Sequence, residues 1–378
     1  MKIMHIASFR GNIGDIQNHK CFYDSIRAYF SSDLEVERIE IREFYFNVGL
    51  RKFDAEFANQ INRVDLLILG GGGFFDVRWE QSATATSFDI SKEFMDSIRV
   101  PVLVNAMGYH EYTETQELFC RFEAFLVYAL KRKWFISLRN DGSYDRMKHR
   151  FPHLDLNAIH VAPDNAFVAV CGRKKRISYE TTIGFCLTDD LFDEKYNHEI
   201  TPEDFLLSIT QIIISHLERG HKIVFFTHTP QDVQLISQIM RSIPDIYLRT
   251  QVTLSPYDVS TEESVEQYLS YYRLCNVVVA MRFHANIFSI TQKIPCIALA
   301  GHEQIEGLYR ELGLDNQCVV VNNERYAEQL INLMNDALAN RNKYVEKEEN
   351  ALITVQKMHS KYIEDVVKYI SENGEKEK

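Results

Sequence analysis

Met281, Arg282, Phe283 and His284 follow the apolar run Val277 to Ala280 and set a permanent positive charge and a titratable imidazole two residues apart, where a buried strand turns into a helix. An arginine there needs an anion, since a buried charge without a partner is strongly destabilising. The histidine has two readings, a proton carrier or a satisfied structural residue. Arg139 stands in a second such segment, Ser137 to Ser143, between a strand end and a helix start. Its guanidinium suits a two-pronged grip on a carboxylate or phosphate, or a surface pairing with Asp141 or Asp145. In the third segment, Arg10 to Asp15, Gly11 and Gly14 let the backbone approach a ligand at a helix N-terminus that favours an anion. A tight turn with Asp15 as the helix cap is its plainer account. The fourth is Gly70 to Gly73, a stretch without side chains able to form a concave array of N–H groups, or to pack a helix closely on a sheet. Phe74 and Phe75 stand where a phosphate loop would carry Lys and Ser or Thr, which argues against nucleoside triphosphate hydrolysis.

Each segment follows a run that reads as a strand. Ile3 to Ala7, Val64 to Leu69, Val100 to Met107, Trp134 to Leu138 and Ile159 to Ala162 are nearly continuous apolar stretches, as strands buried on both faces are, and Glu35 to Ile41 alternates. After the basic, turn-rich Gly172 to Arg176 the series restarts with Thr182 to Leu187, Lys222 to Phe226, Asn276 to Met281 and Pro295 to Leu299. Helix-length segments lie between them, one opened by Thr201 and Pro202. Strands alternating with helices predict an α/β fold with parallel sheets, and ligands of such sheets bind at the carboxyl ends of the strands. A last amphipathic helix, about Lys347 to Ser371, carries Leu352, Val355, Met358, Tyr362, Val366 and Ile370 on one stripe.

The chain has 378 residues, 42 Lys+Arg against 53 Asp+Glu, and a formal charge of −11. The length exceeds what one core organises, and the charge opposes binding to nucleic acid or acidic lipid surfaces, so an anionic ligand needs a local positive cluster. Seven cysteines without a close pair read as small core residues of a reducing compartment. The N-terminal apolar stretch is too short for a signal peptide, and no run reaches the ~20 apolar residues of a membrane span. A cytoplasmic protein is expected.

In order along the chain, these segments resemble the polysaccharide pyruvyl transferase family. The likeness comprises the loop with Asn12 and Asp15, the run Gly70 to Gly73, Ser137 to Ser143, the pair Pro163 and Asp164, and Met281 to Ala285 followed by Pro295. It runs from about residue 3 to about 315. The resemblance implies two Rossmann-like lobes facing a cleft, similar to the B-type glycosyltransferase fold: 1–172 as acceptor side, 173–345 as donor side, a helix at 346–371 packing back on the first lobe, and a disordered tail at 372–378. It also implies transfer of the enolpyruvyl unit of phosphoenolpyruvate to a hexose of a surface-polysaccharide precursor, giving a pyruvate ketal and phosphate.

By the same resemblance His284 is the general acid or phosphate ligand, and Asp15, on the opposite half, orients or deprotonates the acceptor. Arg282, Phe283, Arg139 and His302 bind the donor. Asn12, Gly14, Gly71, Gly72 and Asp164 belong to the acceptor side or its loops. No metal or cofactor is called for, with phosphoenolpyruvate as co-substrate and a lipid- or nucleotide-linked hexose as acceptor; peripheral membrane contact and oligomeric state stay open. Gln304 departs from the family pattern, standing where a lysine is usual. Phosphate binding then falls to Arg282 and His302, or the donor differs. A nucleotide-sugar-dependent glycosyltransferase and a non-catalytic sugar- or metabolite-binding protein are the competing readings. Phe74, Phe75, Trp79 and Tyr109, beside predicted strand ends, are the first candidates for sugar stacking.

Overall fold

The structure, a computed structural model, describes residues 1–30, 34–169, 180–189, 199–256, 262–322 and 324–374. They form two compact units. The first comprises Met1–Arg10, Asn18–Asn165 and Lys357–Lys378, the second Gly11–Gln17 and Ala166–Gln356. The basic segment expected as a linker, the boundary at 172/173, Cys171 and residues 375–378 lie outside the described residues.

In the first unit the strands are β1 (Lys2–Ala7), β2 (Glu35–Glu40), β3 (Leu66–Gly70), β4 (Phe75–Val77), β5 (Val102–Met107), β6 (Tyr109–Glu111), β7 (Phe135–Arg139) and β8 (Ile159–Ala162). Six of them form a parallel sheet in the order β2-β1-β3-β5-β7-β8, and β4 pairs with β6. The order reverses between β1 and β3, so the loops after those strands, Ser8 to Arg10 and Gly71 to Gly73, flank the switch point where such sheets bind ligands. One face of this sheet changes character along the strands. Ile3, Leu66, Ile68, Leu103 and Phe135 join Phe22, Tyr362, Ile363, Val366 and Ile370 in an apolar cluster. Two residues further along their strands stand His5, Gly70, Asn105 and Ser137, which the two-residue period keeps on that face.

The second unit holds β9 (Thr182–Cys186), β10 (Lys222–Phe225), β11 (Val252–Leu254), β12 (Val277–Ala280), β13 (Cys296–Ala300) and β14 (Cys318–Val320), all parallel, in the order β11-β10-β9-β12-β13-β14. This is the 3-2-1-4-5-6 arrangement of dinucleotide-binding sheets, with its switch point between β9 and β12. Arg282 is the first charged residue after β12.

Two helices are shared between the units. Ile13–Arg27 starts in the second and continues in the first, so Asp15 belongs to the second unit, not to the N-terminal half expected for it. The C-terminal helix begins at Arg341 rather than 346 and runs to Gly374, and its residues from Lys357 onward group with the first unit. Met358, placed on its apolar stripe by period, is 42% exposed. Phe75 and Tyr109 are core residues, 1% and 0% exposed, so neither can stack a sugar. Cys120 is exposed, unlike the buried Cys21, Cys186, Cys275 and Cys296.

Candidate functional site

In the second unit the helix 283–291 starts directly after Arg282, its N-cap, and the next residues are Phe283 and His284. His284 is 5% exposed. Its neighbour is the glycine loop: a Cβ built on Gly14 would fall 2.1 Å from His284 Cγ, closer than any two such atoms approach. Glycine at 14 therefore makes room for the protein's own imidazole. Asn12 shapes that loop by accepting the Gly14 N–H at 2.9 Å and so caps the helix start, with Asp15 in its first turn. Asp15, one residue on, places Oδ1 4.0 Å from His284 Nδ1. That is ion-pair range and longer than a hydrogen bond. Gly11 has φ +77°, a backbone that favours glycine.

Arg282 meets a carboxylate of its own chain. Its Nε donates to Asp232 Oδ1 at 3.1 Å, and its Nη2 to Asp232 Oδ1 at 2.5 Å and to Thr229 Oγ1 at 2.7 Å. Asp232 is fully buried and also accepts the backbone N–H groups of His228 and Thr229, at 2.8 and 3.1 Å, closing the N-terminus of helix 230–242. The anion that the sequence demands for this arginine is thus partly internal. The guanidinium becomes a fixed charge. Beside it His228, 1% exposed, is pushed well below the ordinary imidazole range by burial, and then by the charges of Arg282 and His284. His228 and His284 both lie against Phe288, with ring centroids 5.8 and 6.2 Å away.

Phe283 packs in the apolar cluster of this unit, 5.4 Å and edge-on to His284, so its contribution is to seat that ring. His302 caps helix 303–311: its Nδ1 accepts the Gln304 N–H at 3.2 Å, which puts any proton of the neutral ring on Nε2. Gln304 is thus the second residue of that helix.

The first unit holds the other predicted residues, and there the glycines are filled from within. Gly70 and Gly71 have φ +99° and +90°. A Cβ would meet His19 at 2.9 Å from Gly71, Phe74 at 2.6 Å from Gly72, and His110 at 3.1 Å from Gly73. The Gly71 N–H is spent on Asn105 O at 2.8 Å. That N–H is therefore not one of an open array. Arg139 is 3% exposed, with Nε 2.9 Å from Asp141 and Nη1 3.7 Å from Asp164. The pairing with Asp141 is the plainer of its two expected roles, but it is buried, not on the surface. Burial would raise Asp141; the Arg139 and Arg146 guanidinium groups outweigh it and hold that carboxyl well below the usual range. Trp79 is half-buried, its indole N–H fixed at 2.8 Å by Asp76.

The sequence assigns no role to Asp232, His228, Asn18, Asn165 and His359. Asp232 had a signal: Thr229, Pro230 and Asp232 before an apolar run spell a helix start whose acidic third residue reaches back to the cap. Among the described residues no three His, Cys, Asp or Glu side chains gather as a metal-ligand set, and no helix is long and apolar enough to cross a membrane.

Two parallel α/β units with a long C-terminal helix define the fold of B-type glycosyltransferases and nucleotide-sugar epimerases. The UDP-GlcNAc 2-epimerase of Methanocaldococcus jannaschii is similar at a TM-score of 0.52 and 11% identity, over 89% of this chain and 93% of that one. An alpha-glucosyltransferase solved with UDP and a 13-mer DNA is similar at 0.52 and 10% identity, over 98% and 99%. No curated protein matches the chain in sequence. The model of the family described as polysaccharide pyruvyl transferase matches residues 12–303, and the chain belongs to that family.

Proposed function

We propose that this protein transfers the enolpyruvyl unit of phosphoenolpyruvate to two hydroxyls of a hexose in a polysaccharide precursor, forming a pyruvate ketal and releasing phosphate. The observation that carries the reading is the meeting of Gly14 and Asp15 with His284, beside Arg282 at the switch point of the second sheet. Residues 270 positions apart make one imidazole site there, next to a charge locked by Asp232.

The reaction needs a proton on the methylene carbon of the donor. His284 delivers it, with Asp15 beside the ring, and the neighbouring carbon takes up positive character. One sugar hydroxyl adds to that carbon; the second displaces phosphate. Of the two hydroxyl protons released, one restores the acid and the other leaves on phosphate, so the sum is donor plus diol to ketal plus hydrogen phosphate. Arg282 supplies fixed positive charge for the donor anion, and His302 adds a donor at the next strand end. Asp15 thereby moves from the acceptor side to the proton-delivering side.

The test is phosphate release from phosphoenolpyruvate with galactose, glucose and mannose glycosides as acceptors. Release with at least one acceptor, lost in His284→Ala and Arg282→Ala, is the expected result. No release with any acceptor, and no thermal shift from phosphoenolpyruvate, would sink the reading; a shift from a nucleoside diphosphate instead would favour a glycosyltransferase.

A further inference from the structure

The first unit contains a buried hydrogen-bond chain that starts on the C-terminal helix and ends on the glycine run. His359 Nε2 lies 3.1 Å from Asn165 Oδ1, Asn165 Nδ2 donates to Asn18 Oδ1 at 2.7 Å, and Asn18 Nδ2 donates to Gly71 O at 2.8 Å. The Asn165 amide nitrogen is committed to Asn18, so its oxygen is the acceptor and His359 the donor. Every link therefore points the same way. His359, Asn165 and Asn18 are 3%, 0% and 0% exposed.

A second path reaches the other side of the same residue. Tyr362 donates its hydroxyl to Asn105 Oδ1 at 2.7 Å, and the Asn105 backbone carbonyl accepts the Gly71 N–H at 2.8 Å. Both polar groups of Gly71 thus answer to one helix turn, from residues more than 250 positions away in the chain. Gly71 is also where such control is needed. With Gly70 it holds two successive positive φ angles at the carboxyl end of β3, beside the switch point of the sheet.

We propose that His359 and Tyr362 are positioning residues that hold the Gly70–Gly73 loop in the shape that receives substrate at the first unit. A helix that served only as apolar cover would need Ile363, Val366 and Ile370, not two buried polar side chains aimed at one peptide.

Hydrogen–deuterium exchange on the full chain tests this without reference to catalysis. The peptide containing Gly71 should exchange about tenfold faster in His359→Ala and in Tyr362→Phe. The exposed Met358→Ala on the same helix should leave it unchanged, and His359→Gln, whose amide still donates to Asn165, should restore it. Unchanged exchange at the glycine run in folded His359→Ala and Tyr362→Phe overturns the proposal. So does a rise spread evenly over all strands of the unit, which marks general stability. Tyr362→Phe removes one oxygen and keeps the ring, so it carries the test if His359→Ala does not fold. A kinetic arm rests on the pyruvyl-transfer reading: the acceptor KM should rise severalfold at constant phosphoenolpyruvate KM, and a matched rise in both contradicts a positioning role. A wild type without turnover defeats that reading alone, and the exchange result then decides the network.

Discussion

Arg139 and Arg282 occupy equivalent places, each just past a buried parallel strand and just before a helix, yet their surroundings differ. Arg139 has two fully buried carboxylates, Asp141 and Asp164, and a side chain 4% exposed. Among the described residues Arg282 meets Asp232, also fully buried, and its side chain is 12% exposed. The glycines follow the same division. In the first unit they are filled by His19, Phe74 and His110, inside a network that ends on the C-terminal helix. In the second, Gly14 makes room for an imidazole that stands beside a carboxylate and a fixed charge. One pattern of residues thus builds a braced glycine loop in one unit and an imidazole seated beside a carboxylate in the other, with the arginine of the first the more deeply buried.

The largest expected effects set these two roles against each other. Arg139→Ala takes a buried charge partner from Asp141, which keeps Arg146, and from Asp164, and should cost about 3–5 kcal/mol in denaturant unfolding. His284→Ala opens a cavity and should cost less in unfolding than Arg139→Ala, while lowering turnover by roughly 10²- to 10⁴-fold. If the two results changed places, the division of roles would be wrong.

A pH titration sharpens the contrast next. Burial lowers His359 from 6.5 to about 4. The folded state keeps it neutral, so the unfolded chain takes up the proton first as pH falls. Its contribution is complete above pH 6.5 and lost between 6.5 and about 4, ~3 kcal/mol in all. His359→Gln should flatten that part of the stability curve without abolishing it, because burial also lowers His5 and His216. A slope identical to wild type would mean that His359 is not buried neutral.

Smaller again is Gly14→Ala. Its methyl group must displace His284, costing about 1–3 kcal/mol of stability, with a loss of turnover out of proportion to that cost. Comparing it with Gly71→Ala, which should perturb stability through its positive φ but spare the phosphoenolpyruvate KM, separates the two glycine loops by kinetics.

Much of the fold was readable residue by residue. The long strands announce themselves as Val-, Ile- and Leu-rich runs because a parallel strand is buried on both faces. The three-residue strands β4, β6, β11 and β14 carry no such signal; they are too short to show a period, and pairing with a neighbour defines them. Site residues divide likewise. Arg282, His284, Arg139 and the glycines stand out because charge and missing side chains at strand ends are unusual in a sequence. Their partners do not, since Asp232 reads as an ordinary helix start and His359 as one more polar residue on a long helix.

Composition and period by themselves determined that this chain is an α/β protein with glycine- and arginine-bearing loops at its strand ends. Only tertiary structure decided what each glycine faces, which carboxylate neutralises which arginine, and to which unit Asp15 belongs. The reason is physical. Burial and backbone period are properties of a local stretch, whereas the pairing of Arg282 with Asp232 and the packing of Gly14 on His284 are settled between residues that the chain brings together from 50 to 270 positions apart.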